Sequence, residues 1–413
     1  MEALDKGYCL VLSGGGTKGI YHLGVWKALR ELGIEIHGFV GTSIGAIVAG
    51  LLAQDLDRDY DSFSDSIDLD SVIAIPDSLI EEGRLSVSVD AIAEARSLFR
   101  SIVVNRGLDT SPLRALIESW ISEEAIRASG KDLGVVTIHL GDFKPCELFL
   151  EQMEPGTVLD YLMASAAFPG FARPVIKGRR YLDGGMLDNI PYAMARQRGY
   201  RRIIISDISG MGLNRKPDIE GSMTVYIKNS IAMGSAFDFD RTFMREYRHL
   251  GYLDTLRCFG ALEGHYCFLE PGTFNDKSLR RAARLPAPVF PRPMLHERNR
   301  LLAFLDCAAA ILELPRIRRY SYPELEEAVI AAQEEEEARI SELVSDPPDS
   351  LASHLAKLKE SVASLAFKGS AYYNYRLSEE LLPGSAGDLV RKALCRHFEA
   401  LPAGLAWLGI RRS

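Results

Sequence analysis

The stretch Gly38-Phe39-Val40-Gly41-Thr42-Ser43-Ile44-Gly45-Ala46-Ile47-Val48-Ala49-Gly50-Leu51-Leu52-Ala53 decides the fold. It opens on a short apolar run, as a parallel strand buried on both faces requires. It closes on small and apolar residues that read as a buried helix. Between them Gly41-Thr42-Ser43-Ile44-Gly45 has the form G-x-S-x-G. A strand that turns straight into a helix at such a pentapeptide can hold a serine hydroxyl in a strained, exposed elbow. The two glycines leave room where a Cβ would clash. The same five residues also fit a plain helix start with Ser43 as N-cap. Placement between strand and helix favours a nucleophile.

Upstream, the strand-like run Tyr8-Cys9-Leu10-Val11-Leu12 leads into Gly14-Gly15-Gly16-Thr17-Lys18-Gly19, and a helical stretch over 17–32 follows. Two readings compete. A glycine loop beside an elbow serine can offer free backbone N–H groups to a developing oxyanion. Alternatively, Gly14, Gly16 and Gly19 fit the dinucleotide pattern G-x-G-x-x-G, with Glu35 near the place of a ribose-binding acid. No Lys-Ser/Thr pair follows the last glycine, so the loop is not a P-loop. A dinucleotide unit has no use for a G-x-S-x-G elbow at the end of its second strand. Acyl chemistry is therefore the leading reading, and a nucleotide-binding protein is the alternative of another class.

A third element is Tyr181-Leu182-Asp183-Gly184-Gly185-Met186-Leu187-Asp188-Asn189-Ile190-Pro191, an acid at a strand end followed by a tight glycine turn. With all three motifs in this order, the sequence resembles the patatin-like phospholipases. That family carries a G-G-G-x-[KR]-G oxyanion loop, a G-x-S-x-G elbow and a D-G-[GA] turn. Ala164-Ser165-Ala166-Ala167-Phe168-Pro169, Asn189-x-Pro191 and Leu108-Asp109-Thr110-Ser111-Pro112-Leu113 add to the likeness, which covers roughly residues 6–210.

The resemblance implies an α/β fold, a patatin-like hydrolase core with a central, mostly parallel sheet and helices on both faces. It also implies a Ser–Asp dyad, with Ser43 as nucleophile and Asp183 as proton acceptor. Gly14, Gly15 and Gly16 would form the oxyanion hole, Gly15 and Gly16 foremost, with the Ile44 N–H as a helper. Gly19, Gly41, Gly45, Gly184 and Gly185 would shape the motifs. No metal and no cofactor are implied. The expected substrates are fatty-acyl esters of phospholipids or lysophospholipids. Neutral-lipid or small-ester hydrolysis, acyl transfer, and a silent scaffold are the alternatives.

Of eight histidines (His22, His37, His139, His249, His265, His296, His354 and His397), only His249 and His265 stand where a triad histidine could follow the acid. Neither lies in a recognisable turn motif, and each reads as a surface or packing residue. Asp183 must then act as base itself. A free aspartate, with a pKa near 3.9, is a weak one, and burial beside the serine would raise its basicity. Lys18 reads as a solvated charge on the following helix.

At 413 residues the chain exceeds one ordinary core. We expect a catalytic domain over 1–250, with an insertion at 55–106 that either walls or covers the site or is a surface excursion, and a connector with a mainly helical region over 251–413. Proline-rich 286–293 marks the connector, and Glu334–Glu337 reads as a solvated helix face. Hydrophobic content of 47% with 25% charge describes a soluble globular protein. A net charge of −8 disfavours nucleic acid and leaves a lipid surface open. The six cysteines are scattered without a C-x-x-C pair, as in a reducing compartment. Met1–Lys6 shows no secretory leader, and the longest apolar run, 46–53, is too short to span a bilayer. A cytoplasmic protein with at most peripheral membrane contact is expected, and Val72-Ile73-Ala74-Ile75 is the candidate contact.

Further helices are expected at 111–129, 158–168, 191–199, 229–250, 325–344, 351–364 and 385–400. Further strands are expected at 133–140, 147–150, 202–207 and 223–228.

Overall fold

Tyr8–Leu12 is apolar along its length because both of its faces are covered. In the computed structural model it forms β1 (Tyr8–Leu12) near the middle of an eight-stranded sheet. The other strands are β2 (Ile36–Thr42), β3 (Asp132–His139), β4 (Lys144–Phe149), β5 (Val175–Ile176), β6 (Arg179–Asp183), β7 (Arg202–Asp207) and β8 (Met223–Lys228). The order is β8-β7-β1-β2-β3-β6-β5, with β4 also paired to β3. Strands β8, β7, β1, β2 and β3 run parallel, whereas β4 and β6 are antiparallel to β3. The sheet is therefore mixed, with its parallel part at the centre.

The structure describes residues 6–56, 60–72, 80–81, 84–85, 107–141, 143–210, 212–215, 217–232, 234–272, 274, 276–286, 290–294, 299–345, 369–382 and 384–409. They fall into two units, Met1–Cys258 and Phe259–Ser413. The first thus reaches eight residues past the expected boundary at 250.

In the first unit, Cys9, Val11, Val40, Val136, Ile203 and Ile205 point to one face and pack with Tyr192, Met194 and Ala195. These last three belong to helix α6 (Tyr192–Gln197). Alternation sends Leu10, Leu12 and Phe39 to the other face. There Trp26 of helix α1 (Ile20–Glu31) meets the Phe39 ring edge-on at 5.6 Å. Helix α2 (Ile44–Leu52) leaves β2 directly.

Three expected helices are corrected. The stretch 111–129 divides into α3 (Ser111–Trp120) and α4 (Glu123–Ala128). Ile121 is extended, and the Ser122 hydroxyl accepts from the Ala125 N–H, so a new N-cap interrupts the periodicity. Helix α5 covers Val158–Ser165, ending before Phe168. The helix expected at 229–250 is α7, Arg241–Cys258. Its start is set by the Asp240 carboxylate, which accepts from the Phe243 N–H at 2.8 Å. The 351–364 helix lies outside the described residues.

Helices α1 and α7 cross nearly backbone to backbone. A Cβ at Gly24 would lie 1.9 Å from the Arg248 carbonyl oxygen, and one at Gly251 would lie 2.2 Å from that of Tyr21. The Tyr21 hydroxyl donates to Asp254 at 2.9 Å across the same crossing. Because α1 follows the glycine loop, this crossing fixes the loop's exit.

The second unit is mainly helical. Helices α8 (Asp276–Arg284), α9 (Arg300–Ile311), α10 (Tyr322–Ser345), α11 (Ala371–Leu381), α12 (Ser385–His397) and α13 (Leu401–Leu408) surround one core that includes Leu301, Phe304, Tyr372, Leu401 and Trp407. The fully buried Asp306 carboxylate accepts the backbone N–H groups of His265, Tyr266 and Cys267, anchoring their loop to α9.

Gly24→Ala should lower the stability of the unit that contains α1 and α7 to urea by about 1–3 kcal/mol, since overpacking cannot relax against a backbone carbonyl. An unchanged transition would show that the two helices separate without cost.

Candidate active site

Strands β2 and β6 lie end to end along one edge of β3. Thr42 pairs opposite Val136, and Asp183 pairs opposite the next β3 residue, Thr137. The residue after Thr42 therefore arrives beside Asp183, although 140 positions separate them in sequence. That residue is Ser43, whose hydroxyl donates to Asp183 Oδ2 at 2.6 Å.

Ser43 sits at φ 57° and ψ −129°, a conformation costly for a residue with a Cβ. Its carbonyl accepts from Ala46 and Ile47, starting α2, but its side chain makes no cap. The plain N-cap reading of the pentapeptide is thus excluded. Close packing holds the elbow. A Cβ at Gly41 would lie 2.2 Å from the Gly45 carbonyl oxygen, and one at Gly45 would lie 2.3 Å from that of Leu12. The Ser43 N–H donates to Ser165 Oγ at 2.8 Å, and the Ser165 hydroxyl donates to the Val136 carbonyl at 2.6 Å. The elbow is thereby tied to β3 through one buried serine.

Asp183 is only 5% exposed. Its Oδ1 accepts the Gly185 N–H at 2.8 Å, which directs Oδ2 at Ser43. Burial pushes its pKa up to about 6, with the Ser43 and Gly185 hydrogen bonds opposing the rise. Gly184 lies against the Val136 carbonyl, where a Cβ would come within 2.3 Å.

The glycine loop divides its N–H groups. That of Gly14 is spent on Asn189, reaching the backbone oxygen at 3.3 Å and Oδ1 at 3.1 Å. Gly14 therefore shapes the loop and is not an available donor, contrary to expectation. The N–H groups of Gly15 and Gly16 have no hydrogen-bond partner among the described residues, and both glycines share a cavity with Ser43. Gly16 has φ +65°, and a Cβ there would strike the Ala236 carbonyl oxygen at 2.0 Å. That same oxygen accepts the Thr17 N–H at 2.9 Å, which closes the turn.

Beneath the loop lies His22, fully buried in α1. Its Nε2 is 2.9 Å from the Ser13 carbonyl, which can only accept, so the proton belongs on Nε2. Nδ1 then accepts from the Ser206 hydroxyl at 2.7 Å. Burial lowers the His22 pKa to about 4, so the ring is neutral and props the loop. His249 and His265 do not line the cavity, nor does Lys18. Glu35 precedes β2, at the opposite end of the sheet from the glycine loop. The position that a ribose-binding acid would need at the far end of β2 is taken by the elbow.

The cavity has a volume of about 260 Å³. Ser43, Asp183, Gly15 and Gly16 form its polar corner, and Leu23, Ile47, Val48, Leu113 and Ile117 line much of the rest. Phe168, Phe171 and Phe237 form an edge-on aromatic cluster on the wall, with centroids 5.4–6.5 Å apart. Phe63, Ile67 and Val72 also line it, so the described part of the expected insertion is a wall. Ile73-Ala74-Ile75 and 86–106 lie outside the described residues. Among the described residues no group of His, Cys, Asp or Glu is arranged to hold a metal ion.

Three residues of this site escaped the motif reading as individuals. Ser165 and Asn189 lie inside quoted stretches, and a lone serine in an apolar helix was the available signal for the first. His22 had the same signal, an imidazole among apolar neighbours, but nothing local names its partners Ser13 and Ser206.

Residues 10–196 match the family model described as patatin-like phospholipase. Lysophospholipase NTE1 of Kluyveromyces lactis is 27% identical over 207 residues, 49% of this chain and 12% of that protein. The protein of the same name from Saccharomyces cerevisiae is 30% identical over 214 residues, 50% of this chain and 11% of that one. A patatin-like phospholipase domain-containing protein of Caenorhabditis elegans, ZK370.4, is 28% identical over 209 residues, 49% of this chain and 14% of that one. The matched part is thus a small fraction of each relative's length. Among solved structures, VipD from Legionella pneumophila aligns over 99% of this chain and 89% of its own, at 14% identity and a TM-score of 0.35. No helix among the described residues is long and apolar enough to cross a membrane.

The raised Asp183 pKa has a sign that stability measurements can check. The folded state holds this proton more tightly than the unfolded chain, so the contribution is greatest below the ordinary value of 3.8 and is lost as pH rises through about 6. Asp183→Asn removes the effect. Between pH 4 and pH 7.5 the stability of D183N should gain on wild type by on the order of 2 kcal/mol. A difference that does not move with pH would mean Asp183 is not held in this environment.

Proposed function

We propose that the protein is a serine acyl hydrolase that cleaves fatty-acyl esters of phospholipids or lysophospholipids with Ser43 and Asp183. The observation that carries this reading is the 2.6 Å hydrogen bond from the Ser43 hydroxyl to a buried carboxylate at the polar corner of an apolar cavity. The lysophospholipase names of the relatives support the substrate class.

An acyl chain occupies the apolar cavity, placing the ester carbonyl at Ser43. Oγ attacks the carbonyl carbon while its proton passes to Asp183 Oδ2. The carbonyl oxygen becomes negative and is met by the N–H groups of Gly15 and Gly16. Loss of one such donor typically costs about 3 kcal/mol of transition-state stabilisation. Collapse breaks the ester C–O bond, and the departing alkoxide takes the proton from Asp183. Water then attacks the acyl-enzyme, giving a proton to Asp183 that returns to Ser43 Oγ as the fatty acid leaves. A base with its pKa near 6 is ionised at neutral pH yet closer to a useful strength than a free aspartate.

Ser43→Ala should abolish ester hydrolysis and labelling by a fluorophosphonate probe without altering the fold. Residual turnover within tenfold of wild type, about 1.4 kcal/mol, would be too small a loss for a missing nucleophile. For wild type, kcat/KM on a soluble ester should rise with pH through an apparent pKa near 6, because Asp183 must be unprotonated to accept the proton. A profile flat from pH 5 to 8 would remove Asp183 from the role of base. So would a folded His249→Ala or His265→Ala as inactive as D183N.

A further inference from the structure

The antiparallel strand β6 enters the sheet from beyond the C-terminal end of β3. Tyr181 pairs with His139, the last residue of β3, and the next N–H, that of Leu140, donates to the Arg180 carbonyl at 2.9 Å. Arg179 and the turn before it therefore project past the end of the sheet where Ser43 and the glycine loop lie. The β5–β6 hairpin and its lead-in carry Arg173, Val175, Lys177, Arg179 and Arg180, all exposed. Lys177 pairs with Glu154. The three arginines have no carboxylate partner among the described residues. The patch is thus cationic on a chain whose net charge is −8.

Apolar groups accompany the charge. Val175 is 60% exposed, and Phe143, in the turn following β3, is 50% exposed. Basic residues on an edge strand are often a guard against strand pairing. Here the outermost strand is β5, and its exposed residue is Val175, so that explanation puts the charge on the wrong strand. The patch also joins the cavity: the chain runs from the lining residues Phe168, Pro169 and Phe171 to Arg173 within two residues.

We propose that this hairpin is a docking element that seats the protein on an anionic bilayer surface, with the cavity turned toward the lipid. The arginines meet anionic head groups, Val175 and Phe143 enter the interface, and the acyl chain passes along the lining residues Phe168, Pro169 and Phe171 to Ser43. The proposal rests on the acyl-ester reading for the direction of substrate entry, and its test separates the two.

Full-length Ser43→Ala protein is mixed with vesicles of phosphatidylcholine alone or with phosphatidylserine added, and its partitioning is measured by sedimentation. The protein should prefer the anionic vesicles and release at high salt. With Arg173, Arg179 and Arg180 all replaced by Gln in that background, partitioning should fall roughly a hundredfold. The same three replacements in wild type should leave probe labelling and soluble-ester turnover unchanged. Equal binding of both vesicle types, unchanged binding by the triple variant, or salt-sensitive binding to duplex DNA but not to vesicles would overturn the proposal. If the triple variant fails to fold, Arg173→Gln alone, which lies outside the sheet, should weaken partitioning about fivefold, and no change there overturns it equally. Failure of the hydrolase reading would show instead as absent probe labelling, whatever the vesicles report.

Discussion

Everything at this site depends on two strands sharing one edge of β3. Because β2 stops opposite Val136 and β6 stops opposite Thr137, the chain after β2 and the end of β6 must meet. Neither Ser43 nor Asp183 has to reach for the other. A one-residue slip in either pairing would turn every side chain on that strand to the opposite face. The strands' buried faces, Val40 on β2 and Leu182 on β6 among them, make such a slip expensive. The hydrogen bond between Ser43 and Asp183 is thus a consequence of sheet register.

Around that junction the polar groups are paired with little slack. Ser165 links the Ser43 N–H to β3, Asn189 holds Gly14, and His22 holds Ser13. Two adjacent loop N–H groups, those of Gly15 and Gly16, have no partner among the described residues and lie beside an apolar space. Unpaired backbone donors are costly when buried, and an arrangement that keeps them facing a cavity is suited to receiving an oxygen that gains charge.

Much of this was legible in the sequence. The strand–elbow–helix reading of 38–53 held, as did the parallel core strands, because tight glycine packing and two-sided burial leave strong local marks. Boundaries failed where a single capping side chain decided them, as Ser122 did within 111–129 and Asp240 did before α7. Gly14 was misassigned because its partner, Asn189, is 175 positions away and only the fold brings them together. His22 was overlooked for the same reason: its role lies in the carbonyl and hydroxyl above it, which periodicity cannot show. The helical character of the second unit was readable, but its core contacts were not, since no local motif encodes them.

The proposed chemistry turns on where an acyl group is held during turnover. The decisive measurement is rapid quenching of wild type with a lysophospholipid, followed by mass mapping of the peptide that carries the acyl group. A transient acyl ester on Ser43 is expected, absent in S43A and greatly delayed in D183N. An acyl group mapped to any other residue, or steady turnover by a folded S43A protein, would contradict it.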